Sequence, residues 1–245
     1  MKELEIAKLA CYKAGDFLLS LKEKKVNSND KKDIKLQADL DSEKIIHEIL
    51  TDAFSYPILS EESYKISDEE KKGIYWIVDP LDGSLNYSQN IPLCCISIAL
   101  YENNKPILGV IYDFNRDEMF SGIVGVGAWL NDKKIIPSDN LKDKSQAILA
   151  TGFSSYMDYD KESLENFILY IQEFKKVRLF GSAALSLVYV ACGRIDAYYE
   201  KDIAIWDVAA GIAIIACLYP QYEPINQIFS QYLTLKIDFN MKSIK

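Results

Sequence analysis

The segment Asp79-Pro80-Leu81-Asp82-Gly83-Ser84-Leu85-Asn86 carries the densest chemistry of the chain. Two carboxylates three positions apart lie at the end of the apolar run Ile74–Val78, and a glycine and a hydroxyl follow at once. A turn this short holds the carboxylates close, and like charges at that range repel unless a cation lies between them. Magnesium fits such a place, because it takes oxygen ligands and usually shares them with phosphate and water. Gly83 and Ser84 then offer backbone N–H groups at the start of a short helix, where a phosphate anion is favoured. The stretch reads as a metal-and-phosphate site. Taken alone, Asp-Pro-x-Asp-Gly is more often a plain turn, since Pro, Asp and Gly each form turns for their own reasons.

Three further acidic places bear on that choice. Glu61 and Glu62 follow Pro57–Ser60, a second carboxylate pair at a strand end. Asp207 opens a helix in Trp206-Asp207-Val208-Ala209-Ala210-Gly211, where a carboxylate also serves as a cap. Asp39, in Leu36-Gln37-Ala38-Asp39, falls just before another helix. Each has an ordinary reading as cap, turn or solvated face. It is their joint occurrence that carries weight.

The elements that must position these residues can be read from periodicity. Glu3 to about Lys25 and Asp41–Phe54 have helical spacing, with a Lys/Asn/Ser/Asp-rich loop between them. Ile58-Leu59 and Ile74–Val78 read as strands, and the acidic run Ser67–Lys72 between them as a solvated loop. Cys94–Tyr101, Pro106–Tyr112, Glu118–Ile123 and Gly125–Leu130 read as successive strands joined by polar turns such as Asn103-Asn104. Pro137–Gln146 is the candidate boundary between a half at 1–136 and a half at 137–245. Beyond it the chain alternates strand and helix: Ala147–Thr151, Lys161–Phe174, Val177–Phe180, Ser182–Cys192, Ile195–Glu200 and Trp206–Leu218. The fold class is α/β, with an α+β first half and an α/β second half.

Composition narrows the chemistry. At 245 residues and 49% hydrophobic content the chain can bury a sizeable core, and no apolar run approaches a membrane span. Its N-terminal stretch is charged and amphipathic rather than signal-like, so a cytoplasmic protein is expected. The five cysteines are odd in number and mostly within apolar runs, which suits reduced core thiols. His47 is the single histidine and sits in an amphipathic helix, so Ser-His-Asp catalysis and histidine-rich metal sites are disfavoured. A net charge of −8 argues against general nucleic-acid binding, while leaving a phosphorylated small molecule open through bound cations.

Glu61-Glu62-Ser63, Asp79–Asn86 and Trp206–Gly211, in this order, resemble the inositol monophosphatase family, one of the lithium-sensitive, magnesium-dependent phosphatases. Gly181-Ser182-Ala183-Ala184 and Gly193–Glu200 also look like the family's segment before its last motif, and the likeness runs from about residue 3 to 217. The resemblance implies a layered α-β-α-β-α sandwich of the sugar-phosphatase type, a homodimer, and two or three Mg2+ ions per site. It implies that Glu61, Asp79 and the Leu81 carbonyl bind one ion and that Asp79, Asp82 and Asp207 bind a second. Ser84 and Asp39 would orient and deprotonate the attacking water, with Glu61 also serving catalysis through a third ion. Gly83 and Ser84 would hold the phosphate, and Gly181, Ser182, Ala183, Glu200 and Asp207 would line the substrate pocket.

The implied activity is magnesium-dependent hydrolysis of a small phosphate monoester, inositol monophosphate or a similar polyol or sugar phosphate, by in-line attack of metal-activated water. Alternatives are a 3′(2′),5′-bisphosphate nucleotidase acting on phosphoadenosine phosphate, a fructose bisphosphatase, and a non-catalytic regulatory protein on the same fold. The chain departs from the family pattern in three places. Ser60 stands where glycine is usual and Ser84 where threonine is commoner. Ala216–Tyr222 replaces a glycine-containing turn, with a shortened region after it.

Overall fold

The structure, a computed structural model, describes residues 1–30, 33–137, 142–154, 159–219 and 232–237. Helix α1 (Lys2–Ser20) buries Leu4, Ala7, Cys11, Ala14 and Leu18 along one stripe and keeps Glu3 and Glu5 in its first turn, where the helix dipole favours acid. A two-stranded antiparallel hairpin follows, β1 (Val26–Asp30) and β2 (Asp33–Leu36), in the stretch that composition marks as loop. Its first strand is almost wholly polar, and the alternation Asp33-Ile34-Lys35-Leu36 in the second is too short to mark a strand by itself. Helix α2 (Gln37–Ala53) starts four residues earlier than its periodicity predicts, so Asp39 lies inside its first turn rather than before it.

Seven strands form the large sheet: β3 (Ile58–Ser60), β4 (Ile74–Asp82), β5 (Cys95–Glu102), β6 (Lys105–Asp113), β7 (Glu118–Ile123), β8 (Gly127–Leu130) and β9 (Lys133–Lys134), paired in sequence order. The short helix α3 (Ser84–Ser88) follows β4. Strands β3 and β4 are parallel and the remaining pairs antiparallel. Two turns need a left-handed backbone at both central residues, and Asn103-Asn104 and Asn131-Asp132 supply it. Between β3 and β4, Ser67–Lys72 is exposed except at the half-buried Lys71 and holds one 3₁₀ turn.

The second sheet has the order β11-β10-β12-β13, from β10 (Ile148–Thr151), β11 (Lys176–Arg178), β12 (Ala197–Ala204) and β13 (Tyr232–Ile237). Strands β10, β11 and β12 are parallel, and β13 pairs antiparallel with β12. Helix α4 (Lys161–Ile171) precedes β11, while α5 (Ala183–Ala191) and α6 (Ile205–Leu218) flank β12 in sequence. All nine residues of α5 and eleven of the fourteen in α6 are buried, as expected for helices enclosed between two sheets. One core cluster joins Tyr75, Ala99 and Phe120 of the large sheet to Leu187, Ala209 and Ile212 of these helices. A second joins α1 and α2 to the opposite face of that sheet, and a third sets Tyr170 and Ile171 of α4 against Leu149 and Ala197. The layers therefore run helix, sheet, helix, sheet, helix. The close of the Ala216–Tyr222 departure, from residue 220 on, and the middle of the Pro137–Gln146 boundary lie outside the described residues.

Candidate active site

Strand β4 is covered on both faces, which explains its unbroken burial from Tyr75 to Asp82. The two aspartates are part of this strand and not of a separate turn. The register with β5 shifts between Asp79 and Asp82, at the point where Pro80 cannot donate to a ladder. Asp79 Oδ1 accepts the Leu81 N–H at 3.0 Å, while Oδ2 is buried with no hydrogen-bond partner among the described residues. A buried carboxylate oxygen left in that state is costly. Around it, Glu61 at the end of the parallel strand β3 and Asp207 in the first turn of α6 bring carboxylate oxygens within 4.8 Å of one another and of Asp79.

Burial raises the Asp79 and Asp207 carboxyls well above the usual range, with the neighbouring Glu61 and Asp82 charges adding to the effect. Asp82 is held differently. Its Oδ2 accepts Ser182 Oγ–H at 2.6 Å and Ala184 N–H at 2.8 Å, with the Cys95 thiol at 3.8 Å. Burial pushes it up to about 6 against the pull of these donors. Ser182 is also the N-cap of α5, accepting from Leu185 N–H at 3.2 Å, so one hydroxyl ties β4 to the start of α5.

At Gly83 the chain turns through φ +91°, and a Cβ there would lie 2.8 Å from the Leu93 carbonyl oxygen, so the tight entry to α3 requires glycine. Ser84 Oγ lies 2.7 Å from Asp39 Oδ1 and 2.9 Å from the Leu81 carbonyl oxygen. Both neighbours accept, and a hydroxyl has one proton to give. Asp39 is fixed in turn through Oδ2, which accepts Leu36 N–H at 2.6 Å as part of the α2 cap.

A cleft of about 350 Å³ is lined by Glu61, Asp79, Leu81, Asp82, Gly83, Ser84, Gly181, Ser182, Ala183, Glu200 and Asp207. Every site residue that the family resemblance implies thus lines one cavity, except Asp39, which stands behind Ser84; Glu62, the other half of the second carboxylate pair, does not line it. Glu200 is buried at its edge, accepts the Tyr198 hydroxyl at 2.8 Å, and is raised to about 7, mainly by burial. The cleft also has a wall that sequence reasoning passed over, from Thr151 at the end of β10 to Ser154. Its Gly152 is a place where a Cβ would meet the Glu200 oxygens at 2.5 Å. Asn86 spans the cleft floor, donating from Nδ2 to the Leu93 and Phe180 carbonyls at 2.7 Å each. His47 is elsewhere, stacked on Tyr64 at 4.1 Å, and all five cysteines are free. No helix among the described residues is long and apolar enough to cross a membrane.

The inositol monophosphatase family model matches residues 2–217, and the chain belongs to that family. Among its relatives, the Nus factor SuhB of Xylella fastidiosa is 42% identical over 176 residues, covering 71% of this chain. That match spans 62% of the relative, less than two thirds of its length. An inositol-1-monophosphatase of Synechocystis is 38% identical over 222 residues, covering 86% of this chain and 75% of the relative. Staphylococcal IMPase-II, solved with inositol monophosphate bound, superposes with a TM-score of 0.81 at 27% identity, covering 98% of this chain and 90% of that one.

Proposed function

We propose that this chain is a magnesium-dependent phosphatase that hydrolyses a small polyol or sugar phosphate monoester, with inositol monophosphate as the favoured substrate. The observation that carries the reading is the buried Asp79 Oδ2, which has no hydrogen-bond partner among the described residues and lies beside carboxylate oxygens of the half-buried Glu61 and Asp207, an all-oxygen donor set suited to a hard cation. Glu61, Asp79, the Leu81 carbonyl, Asp82 and Asp207 would hold two or three Mg2+ ions. Bound there, the ions would neutralise the phosphoryl oxygens and the leaving alkoxide.

The protein's own groups supply the rest. Ser84 donates its proton to Asp39, which leaves its lone pairs to accept a proton from a water placed at the cleft. Asp39 is thereby the terminal acceptor for that proton. Phosphate oxygens sit against the amides of Gly83 and Ser84, which open α3 and have no preceding turn to donate to. Glu200 faces the substrate hydroxyls from the far edge. In this reading water attacks directly and in line, without a phosphoenzyme; the described lining of the cleft holds neither histidine nor cysteine, and Ser84 is engaged with Asp39.

Support for the substrate choice comes from the staphylococcal relative solved with inositol monophosphate, a relative also solved with 2′-AMP bound. We further propose a cytoplasmic homodimer in which the halves 1–136 and 137–245 close on the cleft. The test is phosphate release from myo-inositol monophosphate, phosphoadenosine phosphate and fructose bisphosphate, each with and without magnesium. Magnesium-dependent release from the first is expected. Preference for either other substrate would move the chain to the nucleotidase or the sugar bisphosphatase branch. A second reading, a regulatory protein, is favoured by the relatives named Nus factor SuhB. Asp82→Asn distinguishes the two, because asparagine still accepts from Ser182 and Ala184 but loses the charge. Hydrolysis should fall by on the order of 10²–10³-fold or more, and a cellular role that survives the change would favour the regulatory reading.

A further inference from the structure

Glu43 lies on α2, is 3% exposed, and has no place in the chemistry above. Its Oε1 accepts the Ser60 hydroxyl, and the backbone N–H groups of Glu62 at 3.3 Å and Ser63 at 3.2 Å converge on the same oxygen. Glu61 sits in the middle of these three donors. The chain around it is also held by Ser60 N–H on the Tyr64 carbonyl at 2.8 Å and by Glu61 N–H on the Val78 carbonyl at 3.3 Å. A three-residue strand at the sheet edge offers little rigidity of its own, and these bonds hold the chain on either side of Glu61. The helix that carries Glu43 also carries Asp39, four residues earlier, and Ser42, which donates to the Pro80 carbonyl at 2.8 Å. One helix therefore fixes the loop after β3, the strand that bears Asp79 and Asp82, and the acceptor behind Ser84.

We infer that Glu43 is a positioning residue that aims Glu61 at the cation site, with the Ser60 hydroxyl as its partner. This rests on the reading of Glu61 as a metal ligand given above. Supports of this kind around ligating carboxylates are worth about 10–100-fold in metal affinity. The experiment measures manganese binding to the purified protein, through loss of the electron paramagnetic resonance signal of the free ion, in Glu43→Ala, Glu43→Gln, Ser60→Ala and Glu61→Gln. Thermal melts without metal are recorded alongside.

Glu43→Ala should weaken binding about tenfold or more. Glu43→Gln, whose amide oxygen still accepts, should remain within about threefold. Ser60→Ala, which leaves the helix intact, should fall between them and decides the matter if Glu43→Ala does not fold. Activity of Glu43→Ala should recover as metal is raised, whereas general structural damage would depress it at every metal concentration. Unchanged manganese affinity in the folded Glu43 and Ser60 variants, with Glu61→Gln weakened, overturns the inference alone. Unchanged affinity in Glu61→Gln overturns the reading of the site on which it rests.

Discussion

At the residue scale, the proton path through Ser84 is the most exposed part of the proposal. Ser84→Ala removes the hydroxyl that links the cleft to Asp39, and kcat should fall by about 10²–10⁴-fold with little change in stability. Ser84→Thr restores the group, and its β-branched side chain holds the rotamer more tightly, so activity should return to within a few-fold of the parent. A kcat series over the three proteins checks both. The residues that the sequence made legible here are those whose types carry chemistry: Glu61, Asp79, Asp82, Ser84 and Asp207. Those it hid act through contacts across long sequence gaps. Ser182 was legible as a pocket residue but not its bond to Asp82, a hundred positions away, and Gly152 was passed over, where a Cβ would crowd the Glu200 carboxylate because the fold sets β10 beside β12. Neither leaves a periodic signal. The Ser60 departure, unexplained by sequence, acquires a partner in Glu43.

At the scale of elements, α6, which carries Asp207 in its first turn, packs closely against the large sheet. A Cβ on Gly109 of β6 would lie 2.3 Å from the Ala210 carbonyl oxygen of α6, three residues beyond Asp207. Gly109→Ala should force the helix away and cost about 1–3 kcal/mol, as overpacking does. Urea denaturation reads that cost, and the same displacement should raise the metal concentration needed for half-maximal activity. Strands β4 to β8 and helices α1, α5 and α6 were readable because burial imposes either a continuous apolar run or a helical stripe. The β1–β2 hairpin and the first turn of α2 were not. The hairpin is short, with an almost wholly polar first strand and only Ile34 and Leu36 apolar in the second, and the cap at Leu36 is made by an Asp39 side chain that composition alone assigns to the loop.

At the scale of the whole molecule, the acidic cleft makes stability depend on pH and metal together. Asp82 rises to about 6 and Glu200 to about 7 in the folded protein, above the usual carboxylate values they take when unfolded. The native state therefore holds protons that the unfolded state has released, and the stabilisation is present at low pH and lost as pH rises through these values. Without metal, the melting temperature should decline between about pH 5 and pH 8, as scanning calorimetry would show. Magnesium binds only the deprotonated site of the folded protein, so it should raise the melting temperature more at pH 8 than at pH 5.

The cleft also has a history within each molecule. Asp82 waits for Ser182 and Ala184, and Asp79 waits for Asp207, so the site assembles from segments made far apart. At about 5–20 residues per second, the ribosome would take about 6–25 s to travel from Asp79 to Asp207. For that interval the nascent chain carries half of an ion trap and none of its closing helix. A product cut short before α6 leaves Asp79 with no Asp207 to face, which dates competence for chemistry to the final part of translation.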